Sequence, residues 1–259
     1  MPVNRVRWLI FAAVLVIVVL AILGAVSRPW DGSAGRSSSP PAAPSAAPTV
    51  PATPSAASAA PAATTATVAP GTVLSLTRLL DLLALRVEDR TGYKRSLFDH
   101  WIDADGDGCD TRREVLIEEA TVAPSVTAGC HLTGGRWHSS YDGLETTNSS
   151  TFDVDHVVPL AEAWDSGASA WTPNRRMRFA NDLDVPWSLI AVSATSNRAK
   201  SDGDPADWLP PLVTVPCDYA ADWLAVKVRW SLAIDARELA ALEPLARECP
   251  DTMPVLPAP

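Results

Sequence analysis

Two short stretches hold the residues best suited to chemistry: Asp153-Val154-Asp155-His156-Val157-Val158-Pro159-Leu160 and, about forty residues later, Asn197-Arg198-Ala199-Lys200. Asp155 supplies a hard carboxylate oxygen suited to magnesium or a similar cation. Asn197 supplies a neutral amide oxygen, so the two together can bind one ion and leave positions for water and a phosphate oxygen. His156, with an ordinary pKa near neutrality, can take a proton from the attacking water. A bound divalent ion would stabilise charge on the phosphate and on the departing oxygen. Hydrolysis of a phosphodiester needs this combination. The other histidines, His100, His131 and His138, have no partner pattern and read as structural or surface residues.

These residues need elements that bring them together. Residues 152–158 are rich in β-branched side chains and read as a strand ended by Pro159. Neighbouring side chains on a strand point to opposite faces, so Asp155 and His156 can share a site only at a kink or a strand end. Residues 189–192 form a second strand candidate, and Ser193 can cap the helix that carries Asn197. Apolar spacing predicts an amphipathic helix over 72–87 and further helices over 111–120, 218–232 and 235–247. Residues 95–102 are a short helix candidate. The expected fold class is α+β, with helices around a strand–loop–strand–helix unit.

The 259-residue chain is not uniform. Residues 8–26 are almost unbroken apolar, with Arg5 and Arg7 before them, long enough for a spanning helix with a cytoplasmic N-terminus. The competing reading is a cleaved signal peptide with Ala25-Val26-Ser27 at the cleavage site. Either places the remainder outside the cytoplasm. Residues 28–70 are rich in Pro, Ala, Ser and Thr, a composition that cannot bury enough surface to offset its ordering entropy. The division is therefore 1–27 as anchor or signal sequence, 28–70 as stalk, and 71–259 as the folded domain.

That domain sets 17 Lys and Arg against 29 Asp and Glu, which disfavours tight sequence-independent DNA binding. The balance reverses between 171 and 200, where Arg175, Arg176, Arg178, Arg198 and Lys200 face only Asp182 and Asp184. A local patch of this kind suits phosphate contacts, assigned to Arg178 and Lys200. Cys109, Cys130, Cys217 and Cys249 contain no C-x-x-C pair, so disulfides are expected rather than zinc. Of the three connectivities, sequential pairing keeps each loop local.

An Asp-His dipeptide alone is common; the joint occurrence of the motifs is not. Asp153 to Leu160, Arg178-Phe179-Ala180-Asn181-Asp182-Leu183, Asn197-Arg198-Ala199-Lys200-Ser201-Asp202 and Asp207-Trp208-Leu209-Pro210 resemble an HNH endonuclease of the ββα-metal superfamily. The resemblance is closest to exported HNH proteins related to the C-terminal domain of GmrSD-type restriction enzymes. It implies a core of two short antiparallel strands and a helix, with His156 as general base and Asp155 as a ligand of Mg2+ or Mn2+. Asn181 matches the residue that orients the base, and Asn197 matches the last signature position, with Asn in place of His. Residues 184–188 lengthen the loop after Asn181. The implied substrate is DNA or RNA, the implied membrane contact is the N-terminal helix, and no protein partner is implied.

A second constellation is the run from Asp103 to Glu114, which matches an EF-hand loop through Asp103, Asp105, Asp107 and Glu114, with Gly108 at the sixth position permitting the sharp turn. Asp110 stands where an aliphatic residue is usual. Structural calcium binding and an acidic loop that caps the next helix both remain open. The alternatives to a nuclease are a calcium-dependent extracellular binding or adhesion module and a degenerate HNH scaffold. Asn197-Arg198-Ala199-Lys200 favours the nuclease, because an adhesion module has no need of it.

Overall fold

The structure is a computed structural model that describes residues 68–249 and 252–258. The apolar stretch at 8–26 and the stalk up to residue 67 lie outside the described residues. Among the described residues, no helix is long and apolar enough to cross a membrane.

In chain order the elements are β1 (Val73–Ser75), α1 (Leu76–Leu80), α2 (Thr111–Glu118), β2 (Ser125–Thr127), β3 (His131–Thr133), β4 (Trp137–His138) and β5 (Glu145–Thr146). Then come β6 (Phe152–His156), α3 (Leu160–Asp165), α4 (Pro173–Ala180), β7 (Leu189–Ser193), α5 (Ala194–Lys200), α6 (Pro216–Trp230), α7 (Ala236–Glu248) and β8 (Thr252–Pro254). The strands form four antiparallel pairs, β1–β8, β2–β3, β4–β5 and β6–β7. The fold is mixed α+β.

The β6–β7 ribbon runs in register from Phe152↔Ser193 to His156↔Leu189. Its alternation is decisive. Phe152, Val154, Leu189 and Ala191 bury one face against Val115 and Leu116 of α2 and Trp137 of β4. Asp153 and Asp155 fall on the opposite face. The free edge of β7 is covered by Glu119, whose carboxylate accepts the Ala191 N–H at 2.7 Å. Ser193 ends the strand and caps α5, accepting from the Ser196 N–H at 3.1 Å.

The larger core surrounds α6, which starts at Pro216, where a missing N–H costs nothing. Tyr219, Trp223, Leu224, Val226 and Trp230 are buried there with Leu76 and Leu79 of α1, Phe179 of α4 and Leu242 of α7. Lys227 is fully buried and donates to Glu162 at 2.7 Å, Glu238 at 2.6 Å and the Ala233 carbonyl at 2.9 Å, tying α3, α6 and α7 together. Arg229 pairs with Asp182 at 2.7 and 2.9 Å and with Asp184 at 3.2 Å. That fork anchors the lengthened loop between α4 and β7.

The disulfides are Cys109–Cys130 and Cys217–Cys249, the sequential pairing expected. Sequence separations of 21 and 32 correspond to about 3 to 4 kcal/mol each in the chain-entropy account. The helix expected over 72–87 is a correction. Only Leu76–Leu80 is helical, because residues 73–75 pair with β8. Leu82 and Leu83 then close the helix with bonds to Leu79 and Leu80, and Arg86 donates to the Ile234 carbonyl. The pairing partner lies at the far end of the chain, where local periodicity carries no information. The 95–102 segment likewise shrinks to a single tight turn at Arg95–Leu97.

Burial raises the Glu119 carboxyl to about 7, and burial with the Glu162 charge raises Glu88 to about 8. Each binds its proton more tightly folded than unfolded. Their stabilising effect is therefore full below the unfolded value near 4.5 and is lost as pH rises through 7 to 8. Thermal melts should show a lower Tm at pH 9 than at pH 6, and Glu119→Gln should flatten part of that slope. Melting that does not change between those two values would contradict this.

Candidate active site

The end of β6, the start of α3 and the C-terminal half of α5 enclose a cavity of about 290 Å3. Asp155, His156 and Asn197 line it together with Arg95, Arg198 and Asp202. Asp155 and His156 share it because β6 ends at His156, two residues before Val158 leads into Pro159.

Asp155 is buried, and its Oδ2 accepts from Lys200 Nζ at 2.6 Å and from the Tyr141 hydroxyl at 2.7 Å. Among the described residues no hydrogen bond reaches Oδ1, which is left for another partner. Burial pushes the Asp155 carboxyl up, while the Lys200 ammonium and the two hydrogen bonds pull it down. The same burial lowers Lys200, and Asp155 opposes it. Lys200 Nζ also donates to the His156 carbonyl at 2.8 Å.

His156 Nε2 lies 3.0 Å from the Ala180 carbonyl. A carbonyl can only accept, so Nε2 carries the proton and Nδ1 keeps its lone pair. Burial pushes the imidazole down to about 3, with Arg95, His100 and Lys200 adding to the effect and the Ala180 carbonyl opposing it. The ring is neutral at physiological pH, and burial makes it a weaker base than the near-neutral value expected from sequence. Trp101 covers it with a centroid distance of 5.1 Å, and Phe179 lies near-parallel at 6.4 Å.

Among the described residues no Asn181 hydrogen bond goes to His156; the amide holds the structure around it. Its Oδ1 accepts from the Ile102 N–H at 3.1 Å and the Thr111 hydroxyl at 2.8 Å. Its Nδ2 donates to the carbonyls of Asp99 at 2.7 Å and Met177 at 2.8 Å. The carbonyl that fixes His156 belongs to the preceding residue, Ala180. Asn197 donates to Asp153 at 3.4 Å, which turns its amide nitrogen away and leaves its oxygen for another partner.

The basic patch of the sequence does not form as one surface. Arg176 is buried on the carbonyls of Leu97, at 3.1 Å, and of Trp171. Arg175 donates to the Trp230 carbonyl at 2.8 Å and stacks on Trp171 at 4.6 Å. Lys200, expected on phosphate, is buried against Asp155, because its side chain ends α5 beneath β6. Arg178 is exposed on α4 and does not line the cavity. The cations that do line it are Arg198, with its side chain 78% exposed, and Arg95.

Arg95, Trp101 and Tyr141 were missed from sequence. Nothing in their local spacing links them to β6, since each arrives through tertiary packing. Arg198 was legible only as one charge of the patch, although its position beside Asn197 is the signal that could have singled it out. Trp208 packs on Tyr141 and Tyr219 at 5.1 and 5.7 Å and belongs to the core.

In the acidic loop, carboxylate oxygens of Asp103, Asp105 and Asp107 lie within 4.8 Å of one another. Burial and those three charges raise the carboxyl of Glu114. Much of their hydrogen-bonding capacity is used locally, on the N–H groups of Gly106 and Gly108 by Asp103 and of Cys109 by Asp107. Asp110 caps α2 through the Arg113 N–H at 2.9 Å.

Residues 111–242 match the family described as GmrSD restriction endonucleases, C-terminal domain. An uncharacterized secreted protein of Arthroderma benhamiae is 42% identical over 172 residues, covering 66% of this chain and 83% of that one. The chain belongs to the GmrSD C-terminal domain family. No solved structure matches it. The family match takes in Tyr141, Asp155, His156, Asn181, Asn197 and Lys200, while Arg95, Trp101 and the Asp residues of the acidic loop precede it. Removing the four side-chain bonds of Asn181 by Asn181→Ala should destabilise the domain by about 2 to 4 kcal/mol in urea denaturation. A change below about 0.5 kcal/mol would show that the loops around His156 hold without it.

Proposed function

We propose that this chain is an exported, metal-dependent HNH-type endonuclease that hydrolyses phosphodiester bonds of DNA or RNA with low sequence specificity. The observation that carries the reading is the convergence of Asp155, His156 and Asn197 on one cavity with Arg95 and Arg198. Membership of a family named for restriction endonucleases supports it. In this reading β6, β7 and α5 are the ββα-metal core.

The donor set fits a small divalent cation. Asp155 Oδ1 and the Asn197 amide oxygen would hold Mg2+ or Mn2+, two hard oxygen donors with room for water. When bound, the ion supplies charge stabilisation to the phosphate and the departing oxygen. His156 accepts the proton of the attacking water at Nδ1, and the positive charge it gains is shared with the Ala180 carbonyl through Nε2–H. Arg95 and Arg198 contact phosphate, the task expected from sequence of Arg178 and Lys200; Arg178 would touch a longer substrate at most. The acidic remainder of the domain supports few contacts and weak non-specific affinity.

Export is supported by the two disulfides, which persist in oxidising compartments, and by the secreted relative. Residues 8–26 would either anchor the chain or be removed. A second role favoured by a specific observation is structural calcium at Asp103, Asp105, Asp107 and Glu114, because three of those carboxylates already converge.

Purified protein with Mg2+ or Mn2+ should nick and then linearise plasmid DNA, and a chelator should stop it. His156→Ala should lower the rate at least 100-fold with an unchanged far-UV circular dichroism spectrum. Undiminished cleavage by that variant would sink the assignment of the base. Calcium should raise the Tm of the intact protein and not that of Asp103→Asn/Asp105→Asn; equal melts with and without calcium would remove the calcium role.

A further inference from the structure

Lys200 and Tyr141 have no direct path to a substrate, yet both spend their polar atoms on one oxygen of Asp155. Lys200 has a side chain with no exposure at all, so bulk water does not reach its ammonium. Tyr141 is 1% exposed, and its hydroxyl makes no other bond among the described residues. A carboxylate oxygen has two in-plane lone pairs, and on Oδ2 both are taken, one by a charged donor at 2.6 Å. Oδ1 carries neither donor.

The geometry points to Lys200 and Tyr141 as positioning residues that restrict Asp155 to one-oxygen ligation and so favour a small cation, Mg2+ or Mn2+, over Ca2+. The inference rests on the reading of Asp155 as a metal ligand. Two-oxygen chelation by Asp155 would require Oδ2 to release a donor, leaving a buried ammonium with the His156 carbonyl but no carboxylate, or a buried phenol without a partner. Calcium gains from chelating carboxylates and takes six to eight oxygens in flexible geometry, whereas Mg2+ holds a near-octahedral shell. Locking Oδ2 therefore removes a mode that the larger ion uses and the smaller one does not need.

Helix α5 builds this arrangement in one turn. Asn197 and Lys200 are three residues apart, so they lie on one side of the helix. Asn197 reaches the cavity, and Lys200 passes beneath Asp155 and also fixes the His156 carbonyl. One ammonium thus sets the ligand and the backbone of the base relative to each other.

The test is metal binding by the intact protein, with no cleavage required. Mn2+ is titrated and the free ion followed by electron paramagnetic resonance, with Ca2+ as competitor, counting only the Mn2+ lost in Asp155→Asn. Tyr141→Phe keeps the ammonium and the ring, and Lys200→Met is the stronger variant where it folds. Each should weaken Asp155-dependent Mn2+ binding about 10-fold or more while Ca2+ affinity falls less or rises, so the Mn2+/Ca2+ preference narrows. A purely structural loss would weaken both ions alike. Folded Tyr141→Phe with an unchanged preference overturns the inference and leaves the nuclease reading intact. Wild-type protein with no Asp155-dependent Mn2+ overturns both.

Discussion

The Lys200–Asp155 pair is the constraint on which the site depends. Taking an ammonium and a carboxylate out of water together costs several kcal/mol per ion, and the Coulomb gain does little more than offset it. Such a pair adds little net stability. Its effect is conditional: once one partner is buried, losing the other costs about 3 to 5 kcal/mol. The end of α5 is therefore held to β6 at one position, and a helix displaced along its axis would strand both charges. Asn197, one turn earlier on α5, inherits that placement. The register of β6 with β7 sets which face Asp155 occupies, so ribbon, helix and charge pair specify one another.

What surrounds His156 is built from outside this unit. Trp101 adopts a φ of 62°, the left-handed region in which a bulky side chain is strained by about 1 to 2 kcal/mol. The next residue, Ile102, gives its N–H to Asn181, and its carbonyl accepts from the Thr111 N–H at 2.9 Å. Those bonds hold the turn that places the indole over the imidazole. The resemblance assigned Asn181 to orienting the base. Its contacts reach His156 through two intermediaries, the Trp101 turn on one side and the end of α4, with the Ala180 carbonyl, on the other.

The parts legible in the sequence were those whose cause is local. Helix α2, the strand pair, the Ser193 cap, α6 and α7 follow from side-chain periodicity and capping residues within a few positions. The disulfides followed from loop size. Residues 72–87 failed because β8 competes for the chain from far away, and a run of leucines looks the same whether its helix is long or short. The site divides in the same way. Asp155, His156 and Asn197 are visible as residue types at a spacing, whereas Tyr141, Trp101 and Arg95 are defined only by where folding puts them.

Charge shows most clearly why a pattern of residue types is not yet a surface. Five basic residues between 171 and 200 look like a phosphate-binding patch, and three of them are consumed by the fold. Guanidinium groups suit that use: Arg176 forks onto backbone carbonyls and Arg175 lies flat on Trp171, both arrangements that a planar cation makes better than an ammonium. Lys200 is the exception, a point charge with three donors serving one carboxylate and one carbonyl. The charges left facing solvent near the cavity are those that the core could not use. Arg198 is exposed because Asn197 and Lys200 take the side of α5 that meets the ribbon, and it reaches the Asp153 carboxylate at the edge, at 3.9 Å. On an acidic domain, positive charge is therefore concentrated at the mouth of the cavity rather than spread across the surface.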